Sequence, residues 1–407
     1  MPGYGSRYWA ERTADNRRRA YPKFKGDHTA DAVIIGGGLT GATTAYVLAA
    51  AGLDVILLEA DRLATGSTAA GLGAILPQPD AMYRAVEQAT GRRVARVAWA
   101  EARRSAREFG QALKKLPTKC DLAETALIVN ARTADDGQLL RREQAAMKDA
   151  GLAAPWLTPA ATHADLGTES SGGLRLRDAF TFDPVRAALG LAGAAEAKGA
   201  RIFEQSAVRR TRFTRRIAKV ILGAGSIRTT GVIVATGEPG QVFGQLRRHV
   251  RRQAGYAVVT HPMTAPMRHA SGKRTSIATD GGANPYYWRW LSEDRVLIAG
   301  AASRPPGPRL VDKAIVQHTA QLMYELSLRY PEISGLPAEW GWDIPVVSTP
   351  DGLPWIGPHR NYPFHFFSMA FGWHGDGLAW LAAKAALRFL RGETTRDDEA
   401  FGFVRHL

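Results

Sequence analysis

Four apolar residues in a row, Ala32 to Ile35, stop at Gly36. A short apolar run bounded by glycine predicts a strand buried on both faces. From Thr40 to Ala51 the residues are small or apolar at helical spacing and end at Gly52, which predicts a helix. "DVILLE" (54–59) follows as a second buried strand with Glu59 at its tip. Polar and apolar positions then alternate through residues 201–237 as in β-hairpins, closing on "GVIVATG" (231–237), a further buried strand ending in glycine. "YAVVTHPM" (256–263) and residues 286–300 also read as strands, whereas 85–150 is helical in character. "FFSMAFGWHGDGLAWLAAKAALRFL" (366–390) reads as strand, glycine-rich loop and helix. No apolar window escapes a Gly or Asp for the roughly 18 residues that a bilayer span needs, so no membrane span is expected.

The glycines of the first unit have mechanical tasks. In Gly36-x-Gly38-x-x-Gly41 the first glycine permits a tight turn and the second lets a pyrophosphate touch backbone. The third brings helix and strand together. Leu39 and Thr40 open a helix whose N-terminal N–H groups and dipole favour phosphate. Glu59, 18 residues past Gly41, is placed to accept hydrogen bonds from ribose hydroxyls and to repel a 2′-phosphate. The unit therefore predicts a dinucleotide site.

Which dinucleotide is decided further along. An NAD unit would proceed to another crossover helix, but residues 61–75 form a loop rich in small residues. There Ala60, Ser67, Thr68 and Gly71 can lie against a flavin and its diphosphate. The second glycine loop supplies a matching piece in Gly372, Trp373, Gly375, Gly377 and Leu378. Its helix N-terminus is suited to electron density on the flavin ring. Thr236 and Gly237 end the strand between the two loops, and Gly357 closes "STPDGLPWIGP" (348–358).

Composition narrows the class further. The 407 residues carry 53 basic and 38 acidic side chains, a net charge of +15. The clusters "RRTRFTRR" (209–216) and "RRHVRR" (247–252) raise the question of an acidic partner, but no nucleic-acid motif accompanies them. A solvated, arginine-rich surface is the simpler reading. A single cysteine, Cys120, excludes an intramolecular disulfide and any CxxC motif. No apolar run opens the chain, so a cytoplasmic protein is expected. No metal-ligand spacing occurs.

With "SRYWAERT", "VIIGGGLTG…LLEA", "GVIVATG", "YYWRWLSEDRVLIAG", "WGWDIPVVSTPDGLPWIG" and "FGWHGDGL" in order, the sequence resembles the D-amino-acid oxidase/glycine oxidase superfamily of FAD-dependent amine oxidoreductases, most closely its gamma-glutamylputrescine oxidase-like branch. The resemblance implies an α/β, two-domain flavoprotein of the glutathione-reductase-like type. Its Rossmann-type FAD domain (1–84, 165–240 and 340–407) would hold an inserted antiparallel-sheet substrate domain (85–164 and 241–339). It implies FAD as cofactor, an amine substrate, and dioxygen or another electron acceptor. Val208 matches the position whose backbone meets adenine, and Tyr287 matches a site residue.

Several departures shape the expected chemistry. Some relatives tether flavin through a cysteine and others through a histidine just after the ribose-binding acid; Cys120 lies in the helical insert and residues 61–75 contain no histidine, so noncovalent FAD is expected. Val346 stands where amino-acid oxidases carry a carboxylate-binding arginine, and Ala379 and Ile298 where sarcosine oxidases carry lysines. Arg289 either replaces those cations, by bidentate binding of a substrate carboxylate, or is a surface arginine. His374 either takes a proton or is a loop histidine beside flavin. Trp288 and Trp290 either wall the substrate site or belong to the core. The expected reaction passes hydride from the carbon beside an amine nitrogen to flavin N5, and the resulting imine hydrolyses. Neutralising an amine of pKa near 10 at pH 7 costs about 4 kcal/mol, and a dry aromatic pocket lowers that. D-amino-acid or glycine oxidation proper, or an FAD protein with a nucleic-acid partner, are the alternatives.

Overall fold

The computed structural model describes residues 3–13, 18–282 and 284–406. Two sheets organise them. In the eight-stranded sheet the order runs Trp355–Pro358, His365–Met369, Gly225–Gly237, Gly26–Ile35, Val55–Leu58, Arg201–Phe203. From His365–Met369 to Arg201–Phe203 neighbouring strands are parallel, while Val208–Phe213 and Ala218–Leu222 add an antiparallel meander.

Burial follows the apolar pattern. The strand Gly26–Ile35 alternates in its first half and is wholly buried from Ala32 onward. Successive side chains point to opposite faces. Val33 and Ile35 join Val234 and Phe367 on one side, while Ala32 and Ile34 meet Leu39, Ala42 and Ala45 of the helix Leu39–Ala50 on the other. The helices Pro184–Glu196 and Gly375–Arg391 pack against that same helix. Parallel strands covered by crossover helices are the geometry that βαβ units impose.

The ten-stranded sheet is mainly antiparallel. Its path runs Gly3–Tyr4, Ala338–Ser348, Arg251–Thr260, Arg295–Ser303, Tyr287–Leu291, Ile277–Asp280, Ala123–Asn130, Gly173–Thr181, Ala74–Ile75. One face carries Trp288, Ile298 and Val258 beneath the helix Val311–Arg329; the other carries Tyr287, Ala299 and Trp342 toward the first sheet.

Strand pairing departs from the expected division at two strands and from the expected helical stretch at a third. Gly173–Thr181 and Ala338–Ser348 were expected in the FAD domain, yet both are hydrogen-bonded into the ten-stranded sheet. Ala123–Asn130 interrupts the stretch expected to be helical. Its partners lie far along the chain, at Ile277–Asp280 and Gly173–Thr181, so local periodicity carries no trace of them. The other helical expectations there hold over Arg92–Lys114 and Ala134–Asp149.

Candidate active site

A cavity of about 520 Å³ lies along the C-terminal ends of the parallel strands. The first glycine turn contributes Gly36, Gly38, Leu39 and Thr40 to its wall, and the acid strand contributes Glu59 and Ala60. Ser67, Thr68 and Gly71 come from the following loop, Val208, Thr236 and Gly237 from the meander and its neighbour, and Gly372, Trp373 and Gly375 from the second glycine loop. Two helix N-termini, those of Leu39–Ala50 and Gly375–Arg391, thus open on one space.

The close approaches explain the residue types. Gly36 has φ +110°, and a Cβ there would sit 2.6 Å from the carbonyl oxygen of Ala235. A Cβ at Gly41 would fall on the Gly36 carbonyl, so Gly41 sets the spacing of helix and strand and does not itself line the cavity. Thr68 Oγ1 accepts the Leu39 N–H at 2.9 Å, taking one helical donor. No side chain caps this helix at Gly38. Glu59 accepts the Gly37 N–H at 2.6 Å and the Asp61 N–H at 2.9 Å, which fixes its carboxylate at the cavity rim. This is a cradle of backbone donors and missing side chains, and it fits a long, phosphate-bearing group such as FAD.

Three other expected cofactor residues also lie off the cavity wall. Gly377 lets its helix press on the Leu76 carbonyl, which a Cβ would meet at 2.6 Å. Leu378 is core, and Gly357 sits on the edge strand Trp355–Pro358 opposite Phe367.

The expected catalytic trio is positioned differently from the sequence expectation. Tyr287, His374 and Arg289 line neither this cavity nor the larger one beside it. His374 is fully buried, with Nδ1 2.7 Å from the Pro79 carbonyl oxygen and Nε2 2.8 Å from the Tyr287 hydroxyl. A carbonyl only accepts, so Nδ1 carries the proton and Nε2 accepts from Tyr287. Burial pushes His374 below the ordinary imidazole range, and burial with the nearby Asp80 charge pushes Tyr287 well above the ordinary phenol. The pair is a neutral brace behind the loop. Arg289 does share a strand face with Tyr287, but its guanidinium donates to the carbonyls of Gly73, Leu72 and Phe182. Burial lowers it to about 10. It ties the 71–75 loop to the sheet and presents nothing to a substrate carboxylate. Trp288 is core, its Nε1 donating to Tyr330 Oη at 2.9 Å, and Trp290 packs against Tyr330 on that same face. Ile298 lies there too, away from Tyr287.

The second cavity measures about 820 Å³ and meets the first at Trp373, which lines both. Val346 is in its wall. Five carboxylates line it: Asp80, Glu87, Asp136, Glu143 and Asp351. Asp351 is paired with Arg405 at 2.7 Å; among the described residues the other four stand in no ion pair. One guanidinium, Arg84, shares the wall. Sequence reasoning missed every one of these acids, which come from separate loops and helices and form no motif. It also missed Asp376, an acid in the first turn of the second helix that lines the cofactor cavity. Burial raises Asp376 to about 7, against the opposing pull of the Ala74 N–H and Arg289.

Known proteins share this architecture. Over its full length the chain is 22% identical to gamma-glutamylputrescine oxidoreductase of Escherichia coli (strain K12), covering 93% of that protein. Glycine oxidase from Geobacillus kaustophilus superposes with a TM-score of 0.76 at 20% identity, over 93% of this chain and all of that one. L-amino acid deaminase from Proteus myxofaciens superposes with a TM-score of 0.77 at 15% identity, over 96% of each chain. Residues 31–388 match the model of the DAO family, FAD dependent oxidoreductase, and the chain belongs to that family.

Proposed function

We propose that the protein oxidises the CH–NH bond of a cationic primary or secondary amine, using noncovalently bound FAD. The observation that carries this reading is the wall of the larger cavity. Four carboxylates that stand in no ion pair among the described residues face one guanidinium there, in a chain of net charge +15. Clefts lined by one sign of charge concentrate ligands of the other, so this wall favours ammonium over carboxylate. The name of the Escherichia coli relative, which specifies a putrescine derivative, agrees with that preference.

The residues present support FAD. Gly36, Gly38, Leu39 and Thr40 would face the diphosphate and Glu59 the ribose. Thr236, Gly237, Gly372, Trp373 and Gly375 would face the ring end. When bound, FAD supplies the two-electron acceptor for the hydride leaving the carbon beside nitrogen. The chain's own work is to collect the ammonium, strip its water and hold the C–H bond toward that acceptor. Noncovalent binding is supported by the described lining of the cofactor cavity, which contains neither cysteine nor histidine. Cys120 is buried elsewhere, its thiol pushed up to about 11 by burial and nearby carboxylates.

Arg84 favours a second reading, in which an amino acid or N-substituted amino acid binds through its carboxylate. Anaerobic bleaching of the long-wavelength flavin band, screened over amines and their α-carboxylated counterparts, separates the two. Amines should bleach faster. Bleaching confined to amino acids would reverse the assignment, and none with either class would remove it. Peroxide yield against reduction of a quinone dye identifies the acceptor. Denaturing the protein with acid should release all of the yellow chromophore.

A further inference from the structure

Asp80 differs from the other acids of the larger cavity in where it sits. Its Oδ1 accepts the Trp373 backbone N–H at 2.8 Å, and Trp373 is the residue that both cavities share. Gly372 has φ +62°, and a side chain there would collide with the Asp80 carboxylate. The loop is therefore shaped around this acid. Among the described residues no cation pairs with it. His374, which couples electrostatically to it, is neutral and already bonded at both ring nitrogens.

A carboxylate without a counter-ion, packed against the loop that joins the two cavities, calls for a cation from the ligand. We infer that Asp80 holds the substrate's ammonium group at the seam of the two cavities, and so makes the site select cations over isosteric neutral molecules. The inference rests on the amine reading above and names the residue that executes it. The same contact gives the surplus proton a destination. As the amine is readied for oxidation, an N–H bond breaks, an O–H bond forms on Asp80, and the electron pair stays on nitrogen. Burial holds Asp80 above the ordinary aspartate range, which favours that transfer.

The test uses ligands that cannot react. tert-Butylammonium has no hydrogen on the carbon bearing nitrogen, and tert-butanol is its neutral counterpart. Affinities of the holoenzyme for both, read by calorimetry or by perturbation of the flavin spectrum, should favour the ammonium about tenfold or more, the range of one charge-assisted contact. Asp80→Asn keeps an oxygen for the Trp373 N–H and should bring the ratio close to one with FAD content unchanged. Asp80→Ser is the smaller neutral replacement if Asp80→Asn does not retain FAD. A wild-type ratio near one overturns the inference. So does an unchanged ratio in the variant, or an equal loss for both ligands, which would mean that Asp80 only holds the loop. Because neither ligand turns over, a failure here is distinct from a failure of any amine to bleach the flavin.

Discussion

The two cavities that meet at Trp373 are built from opposite materials. The smaller is walled largely by backbone: turns, helix N-termini and glycines whose missing side chains leave room. The larger is walled by side chains from the helices Tyr83–Thr90 and Ala134–Asp149, three sheet strands and several loops. A backbone-built site is specified by a few residues close in sequence and tolerates almost no change at them. A side-chain-built site is specified by many distant residues, each replaceable in part. Mutations should therefore separate the two by severity.

The harshest expected effect is Gly41→Ala. The added carbon meets the Gly36 carbonyl, and neither backbone segment can retreat without parting the helix Leu39–Ala50 from its strand. A loss of about 3 kcal/mol or more is expected, together with loss of bound FAD. Urea unfolding and the ratio of flavin to protein absorbance measure both. Stoichiometric FAD in the Gly41→Ala variant would break the claim that the smaller cavity tolerates no change.

On the other cavity the most severe change should be Arg405→Met. Its guanidinium and the Asp351 carboxylate form a buried ion pair, and Asp351 also accepts from Thr349 and the Leu353 N–H. Removing one partner leaves a buried charge uncompensated, worth about 3–5 kcal/mol in comparable cases. FAD should be retained, because Arg405 touches no part of the cofactor cavity. Replacing both residues by apolar ones should recover much of the loss, and a double-mutant cycle measures the coupling.

The same contrast explains what could be read in the sequence. Gly36, Gly38 and Gly41 were legible because each answers to a steric demand made within a few residues. Glu59 was legible because strand length fixes where the tip falls. The alternation along Tyr287–Leu291 correctly put Tyr287 and Arg289 on one face, yet period-2 alternation does not say which face meets the substrate cavity. In the structure neither lines either cavity. Asp80 was invisible: it stands alone in a loop, and only the fold carries it to Trp373. The strand Ala123–Asn130 reads as helical and Gly173–Thr181 and Ala338–Ser348 read as part of the other domain, because sheet membership depends on partners distant in the chain.

Glu59→Gln should be milder than either of the changes above. One oxygen remains to accept from the Gly37 or Asp61 N–H, but the charge that strengthens both bonds is gone. FAD should bind about tenfold or more weakly, on the order of one charge-assisted hydrogen bond. FMN, which lacks the adenosine half, should be affected far less. Fluorescence titration of the flavin-free chain with each ligand reads the difference. An equal loss for both would place Glu59 at the turn's geometry alone and would remove its role toward the ribose.

The smallest effect is a slope, and it tests whether a second side chain in the smaller cavity, besides Glu59, matters as charge. Asp376 titrates near pH 7 in the fold and near 3.8 when exposed, because burial penalises its carboxylate. A raised carboxylate pKa means that the folded chain binds this proton more tightly than the unfolded chain does. Its contribution to stability is therefore fully present below about pH 4 and is lost as pH rises to about 7. Asp376→Asn removes the titration without changing size. Urea midpoints of the flavin-free chain should fall with pH more steeply in wild type than in Asp376→Asn between those limits. FAD affinity should show the same trend, since an ionised carboxylate in that cavity repels the anionic cofactor. Parallel pH curves for the two proteins would mean that Asp376 is already ionised in the fold. Glu59 would then be the acid whose charge tunes the cofactor cavity, and the contrast between the two cavities would sharpen.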